Sequence, residues 1–270
     1  MLRAVLLAVT LVWPGTAVLA DARITVLMDL LRVSEVTAIL RSEGLDYAGE
    51  IDAEMLNGHG GGFLNQHVGQ IYSQSRMDEH IYASLSVGMT SAQADAAIEW
   101  FGSDTGSRIV ALENAARRAM SDPAVEEAAR AAWEQNIDTD DGNAALVVGY
   151  MEDLDLITRN VSGTMTSNYQ FLLGLSDGGL FEQTEDQMLA EVYSQRDEIQ
   201  ADTESWLGAF LLMAYQPVSA EDLDAYMQFS VSDSGRALNA ALFEGFDGMF
   251  SEISYALGRA VALSAAGNDI

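Results

Sequence analysis

The chain has 270 residues, 49% of them hydrophobic and none of them cysteine. Its 41 Asp plus Glu face 13 basic residues, all arginine, for a formal charge of −28. Nucleic acid and anionic membrane surfaces are bound through basic patches that release counterions, so a surface this acidic repels both, and nucleic acid is not expected as a partner. The acids are spread along the sequence rather than bunched. They read first as a solubility device and second as a field that gathers cationic partners.

Residues 1–20 read as a secretory signal. Arg3 is the positive end, Ala4 to Trp13 an apolar run too short to span a bilayer, and Pro14-Gly15 its break. Val18-Leu19-Ala20 offers the small-residue cleavage pattern, with Ala20-Asp21-Ala22 as a second candidate. Cleavage removes one Arg and no acid, which takes the charge from −28 to −29. The expected location is the periplasm, with release from the cell as the alternative. Without disulfides the mature chain must rely on core packing, which about 250 residues can supply. No later apolar run approaches the roughly 20 residues of a membrane span.

Prolines occur only at positions 14, 123 and 217, and helical periodicity runs through nearly everything else. Ser34 is placed to cap a helix to Glu43, with Gly44 ending it. A glycine-rich loop, Asn57 to Gly62, carries His59. A helix from about Phe63 then carries His67 and His80, thirteen positions or roughly 20 Å apart. Thr90 with Gln93 forms a capping box, and Asp122-Pro123 a cap before proline in a first turn. Asp138 to Asn143 is an acidic break and the best boundary between two halves, each expected to hold four to six helices.

Beyond it, Leu146, Tyr150, Leu154, Ile157, Val161 and Met165 form one stripe. Ser176 to Gly179 is a further break. Ser219 with Asp222 repeats the capping pattern weakly, and Leu238, Leu242, Phe246, Met249, Ile253 and Leu257 form a last stripe. No segment alternates with a period of two over strand length, so the fold class is all-α, a multi-helix bundle.

One phrase occurs twice. Trp100-Phe101-Gly102-Ser103-Asp104-Thr105-Gly106 returns as Phe229-Ser230-Val231-Ser232-Asp233-Ser234-Gly235, 129 residues on. Each residue has a mechanical role at a helix corner. The aromatic locks the corner, Ser103 or Ser232 caps the next helix, and Asp104 or Asp233 faces its positive dipole end. Gly106 or Gly235 gives clearance. Upstream, Ile71-Tyr72-Ser73-Gln74 matches Val192-Tyr193-Ser194-Gln195 at 121 residues, so the second copy carries about eight extra residues between the matches. These lie near Glu204 to Phe210 and imply a longer helix. The organisation expected is a signal peptide at 1–20 and two related helical units at 21–140 and 141–270, packed as one body.

The aromatic–x–x–Ser–x–x–Gly phrase, its capped lead-in helix and the segment Gly235-Arg236-Ala237-Leu238-Asn239-Ala240-Ala241-Leu242-Phe243 resemble an exported proteobacterial family of domains of unknown function. Asp155-Leu156-Ile157-Thr158-Arg159-Asn160-Val161 resembles full-length members. The likeness is strongest over roughly Ala201 to Ala262 and looser in the first copy, where Gly102 and Thr105 replace Val231 and Ser234. The resemblance implies an all-helical periplasmic protein and brings no catalytic residue with it.

Chemistry is sparse. The three histidines lack the close spacing of a helical zinc site, so no metal is expected. Counted from Asp138 as a calcium loop, glycine falls at the fifth position instead of the sixth, and Gly149 stands where a glutamate is needed. There is no nucleophile elbow, phosphate loop or dinucleotide glycine pattern, and no cofactor is expected. Asp155 with Arg159, and Glu113 with Arg117, are spaced as helical surface pairs, while Arg159 or Arg236 could instead bridge the two copies. Trp206, Phe210, Met213 and Tyr215 read as core, with a binding groove as the second reading of Trp206, Phe210 and Tyr215.

The function expected is a non-catalytic, envelope-associated binding or accessory protein. Its partner would be an envelope protein or small molecule, with self-association allowed. The alternative is a hydrolase of an envelope polymer working through paired carboxylates. A cleft with two facing carboxylates and a desolvated glutamate would favour the enzyme, and a shallow apolar groove would favour binding.

Overall fold

The computed structural model describes residues 15–137 and 142–267, with side chains from residue 22 onward. Most of the signal segment and the acidic break at 138–141 thus lie outside the described residues. Within them there are thirteen α-helices and no strand. The first seven are α1 (Gly15–Leu30), α2 (Val33–Leu56), α3 (Gly61–Ile71), α4 (Gln74–Gly88), α5 (Ser91–Phe101), α6 (Asp104–Met120) and α7 (Pro123–Asn136). Six follow: α8 (Gly142–Asp153), α9 (Leu156–Asp177), α10 (Glu185–Ser194), α11 (Arg196–Tyr215), α12 (Ala220–Val231) and α13 (Asp233–Ala265). The first half therefore holds one helix more than the expected four to six.

Local chemistry sets many of the boundaries. Thr90 and Gln93 close a full capping box on α5, and Thr184 with Gln187 closes another on α10. Asp122 accepts a hydrogen bond from the Ala124 N–H at 2.9 Å, with Pro123 at the first position of α7. Ser219 accepts from the Asp222 N–H at 3.1 Å.

Three expectations fail for physical reasons. Ser34 does not cap α2, which begins after Arg32 in the left-handed conformation (φ 50°). The Ser34 hydroxyl bonds the Asp78 carboxylate on α4 instead, at 3.3 Å. Gly44 does not end the helix either. It is buried at mid-helix, where a Cβ would collide with the ring of Tyr72, so the missing side chain serves packing. His67 and His80 sit on different helices, because the chain turns at Tyr72-Ser73 between α3 and α4. The Leu146–Met165 stripe is likewise two helices: Asp155, left-handed at φ 54°, separates α8 from α9 while the apolar period runs on across it.

The core falls into two clusters. The larger joins α1, α4–α8, α11 and α12 around Leu27, Ile81, Leu85, Val147, Tyr215 and Leu223, each at most 1% exposed. The smaller joins α2, α3, α4 and the distal half of α13 around Leu64, Met77, Met249, Leu257 and Val261. Helix α13, 33 residues long, serves both, and Leu238, Met249, Ile253 and Leu257 of its predicted stripe are buried. It packs closely along α9. A Cβ on Gly174 would strike the Tyr255 carbonyl of α13, and one on Gly258 would strike the Phe171 carbonyl of α9. Two reciprocal glycines thus let the backbones touch.

Candidate functional site

A groove of about 820 Å³ opens on the described surface. Its floor is one face of α9, where Ile157, Val161, Met165 and Tyr169 recur every fourth residue. Thr158, Ser162 and Thr166 run beside them as a row of hydroxyls. The opposite side is Leu189, Val192 and Tyr193 of α10 with Arg196 and Gln200 of α11. Leu189 and Tyr193, a turn apart, are 47% and 69% exposed. Here they are not scattered singly but adjoin the apolar face of α9, and a contiguous apolar surface rimmed by polar groups is the form a binding groove takes. No Asp or Glu lines the groove, and Arg196 is the one charged residue among its walls. The other polar residues there carry hydroxyl or amide groups only.

A second opening, about 450 Å³, lies where the two copies of the repeated phrase meet. Trp100 and Phe229 stack at its base, and Ser103, Ser232, Thr105 and Ser234 surround them. Both corners are built alike. Ser103 Oγ accepts from the Gly106 N–H at 3.0 Å and donates to the Trp100 carbonyl at 2.6 Å. Ser232 Oγ accepts from the Gly235 N–H at 3.2 Å and donates to the Phe229 carbonyl at 2.6 Å. Asp104 and Asp233 each open the helix that follows. A Cβ on Gly106 or Gly235 would collide with the Trp100 or Phe229 carbonyl. Glu99 and Asp222 also line this cleft. Hydroxyls of Ser219 and Thr105 hold the Asp222 carboxyl below its ordinary value, the reverse of what a general acid requires.

The desolvated carboxyl is elsewhere. Glu113 of α6 does not pair with Arg117. Its carboxyl accepts from the Tyr215 hydroxyl at 2.7 Å and the Tyr226 hydroxyl at 3.2 Å, and Tyr150 donates to Tyr226 at 3.3 Å. Burial pushes the Glu113 carboxyl up, against the pull of the two hydroxyl donors. It also lifts the phenols, Tyr150 to about 12. The residue keeps some exposure, but Glu113 lines none of the three cavities described. Neither Glu113 nor any of these tyrosines is flanked by a second carboxylate as a hydrogen-bond partner among the described residues.

The other predicted residues fall as follows. Tyr215 is 1% exposed in the larger core, and Trp206 and Phe210 stack at 5.2 Å, partly buried against it. None of the three lines a cavity described here. Arg117 lies over Trp206 at 4.9 Å and forks onto Glu43, at 2.6 and 3.0 Å. Arg159 lies over Phe243 at 5.3 Å. Arg236 donates to the carbonyls of Val231 and Asp153, at 3.0 and 3.1 Å, joining the C-terminal ends of α12 and α8. These contacts of Arg159 and Arg236 all stay within residues 141–270, so they tie helices of the second half together and do not bridge the two copies as expected.

His80 meets Glu252 at 3.0 Å, and Arg76 bonds the same carboxylate. Among the described residues no three His, Asp or Glu are grouped as metal ligands, and no helix is long and apolar enough to cross a membrane. The acidic calcium-like loop lies outside the described residues. The groove escaped the sequence reading, although Ile157, Val161 and Met165 were already in its stripe.

A family model described as an uncharacterized protein conserved in bacteria (DUF2059) matches residues 75–135. That stretch runs from α4 through α7 and contains the Trp100–Gly106 phrase. The likeness therefore rests on the first copy, where the sequence resemblance was expected to be looser. No curated protein and no solved structure matches the chain. What the match supports is similarity to a bacterial domain of unknown function.

Proposed function

We propose that this is an exported, periplasmic protein of the cell envelope that binds a partner or small molecule without chemistry, through the groove between α9, α10 and α11. One observation carries the reading: 820 Å³ of mainly apolar groove contains no carboxylate in a chain with 41 of them. The hydrolase alternative is disfavoured because the raised carboxyl, Glu113, sits with tyrosines away from the cavities described, while Asp222 in the second cleft is shifted downward.

The chain reads as two related helical units, of seven helices in the first half and six in the second. Arg32 and Asp155 are both left-handed and each is the second residue of a two-residue junction, between α1 and α2 and between α8 and α9. Asp104 to Asn136 covers 33 residues, as does Asp233 to Ala265; Asp122-Pro123 divides the first into α6 and α7 where α13 runs unbroken. The packing is reciprocal, with α4 on α13 and α11 on α6 and α7. Export is supported by the residue 1–20 pattern. Cleavage after Ala20 leaves Asp21 at the start of the remaining helix and keeps Ile24 and Leu27 in the core.

Native mass spectrometry of the protein recovered from the periplasm of producing cells tests the reading. The expected result is a mature mass beginning at Asp21 or Arg23 with a bound species that Leu189→Glu removes. A bare chain, or a bound species indifferent to Leu189→Glu, would refute the groove.

A further inference from the structure

We infer that the groove takes a single long-chain carboxylate, with the alkyl chain along α9 and the anionic head at Arg196; this rests on the groove being the binding site. The stripe from Ile157 to Tyr169 covers thirteen residues, about 18 Å of helix, a length suited to one extended acyl chain. The walls beside it offer methyls, a thioether and the rings of Tyr169 and Tyr193, with hydroxyls and Gln200 at the margins. This composition rewards an apolar chain and offers few fixed hydrogen bonds to a sugar or peptide backbone.

Charge selects the head group. The whole chain carries −28, yet the single charge in this lining is the cation of Arg196. Its contact with Asp197 is long, 3.6 Å, and Asp197 is 98% exposed, so the guanidinium fork remains available to a carboxylate. A cationic amphiphile would gain from the distant field but would meet Arg196 at the groove itself.

The corresponding place in the first half is closed. Tyr72, which matches Tyr193 in sequence, is 5% exposed and lies in the notch left by Gly44 on α2. Tyr193 has no such seat and stands 69% exposed. The second half thus keeps open a space that its counterpart fills with its own ring.

The test is titration of the purified mature chain with palmitate, hexadecanol and hexadecyltrimethylammonium. Saturable uptake of one palmitate per chain is expected, at least tenfold tighter than the cationic amphiphile. Leu189→Glu should weaken palmitate at least tenfold. Arg196→Gln should weaken palmitate about tenfold and leave hexadecanol unchanged. Both positions are exposed, and unchanged melting confirms that the variants fold.

Absence of saturable uptake overturns the proposal, as does equal binding of all three amphiphiles in both wild type and Arg196→Gln. A concentration-dependent dimer that Leu189→Glu disrupts, without palmitate uptake, overturns it in favour of a second copy. If palmitate fails while the periplasmic protein still carries a species sensitive to Leu189→Glu, the ligand class falls and the groove stands. If neither is seen, both fall.

Discussion

The indole of Trp100 lies on the phenyl ring of Phe229, their centroids 5.2 Å apart and their planes 7° from parallel. Each ring occupies the first place in one copy of the repeated phrase, so the two corners meet through their locking residues. Phe101 meets Phe229 edge-on at 5.5 Å and 89°. Such pairs couple by about 0.5–1.5 kcal/mol beyond burial. A double-mutant cycle with Trp100→Leu and Phe229→Leu, read by chemical denaturation, should give a coupling in that range. Strict additivity would mean that the contact holds nothing together.

Gly106 and Gly235 should respond alike to alanine. Each Cβ would enter the carbonyl of the preceding aromatic, which is backbone and cannot step aside. Gly106→Ala and Gly235→Ala should each cost about 1–3 kcal/mol or more. Gly149, within α8 and with nothing near its missing Cβ, is the control. Gly149→Ala should stabilise by up to about 1 kcal/mol. Thermal melts of the three variants check both signs.

Glu113 should make stability depend on pH. Burial raises its native pKa above the ordinary glutamate value. The stability it contributes is therefore full below the ordinary glutamate range and is lost as pH rises through the raised value. Glu113→Gln keeps an acceptor for Tyr215 and Tyr226 and should remove that part of the pH profile, leaving the variant relatively more stable toward neutral pH. Glu113→Ala should instead cost about 1–3 kcal/mol by orphaning the hydroxyls. Denaturation across pH compares the three; an unchanged slope in Glu113→Gln would assign the dependence to other groups.

Arg236 ties Val231 and Asp153 through one guanidinium. Arg236→Ala should lower stability by about 1 kcal/mol. Arg236→Lys should recover little, because a lysine lacks the planar fork that reaches two carbonyls. Differential scanning calorimetry decides, and an unchanged Arg236→Ala melt would mean that this tie between α8 and α12 holds nothing together.

Much of the fold was legible because helix signals are local. Thr90 with Gln93 and Asp122 with Pro123 act through neighbours three residues away or fewer, and the Leu238–Leu257 stripe buries as its period requires. Failures came where a distant residue decided the outcome. Gly44 looks like a stop signal until Tyr72, 28 residues on, is seen to need its space. Glu113 has the spacing of a surface pair with Arg117, and only Tyr215 and Tyr226, over a hundred residues away, take it into the core. The groove was half visible, since the Leu146–Met165 stripe is apolar along its whole length. Periodicity marks an apolar face, but it says nothing of whether a neighbour covers it. Leu189 and Tyr193 belong to a helix that buries Met188 and Val192 instead, which leaves the far end of the stripe uncovered.

The most direct test of the groove as the working surface is in-cell crosslinking with benzoylphenylalanine, which inserts into C–H bonds of whatever lies against it. It would replace Tyr193 in the groove or Tyr47, which is 51% exposed on α2. The expected result is an adduct from position 193, lost with Leu189→Glu, and none from position 47. Equal labelling from both positions, or labelling at 193 that survives Leu189→Glu, would contradict it.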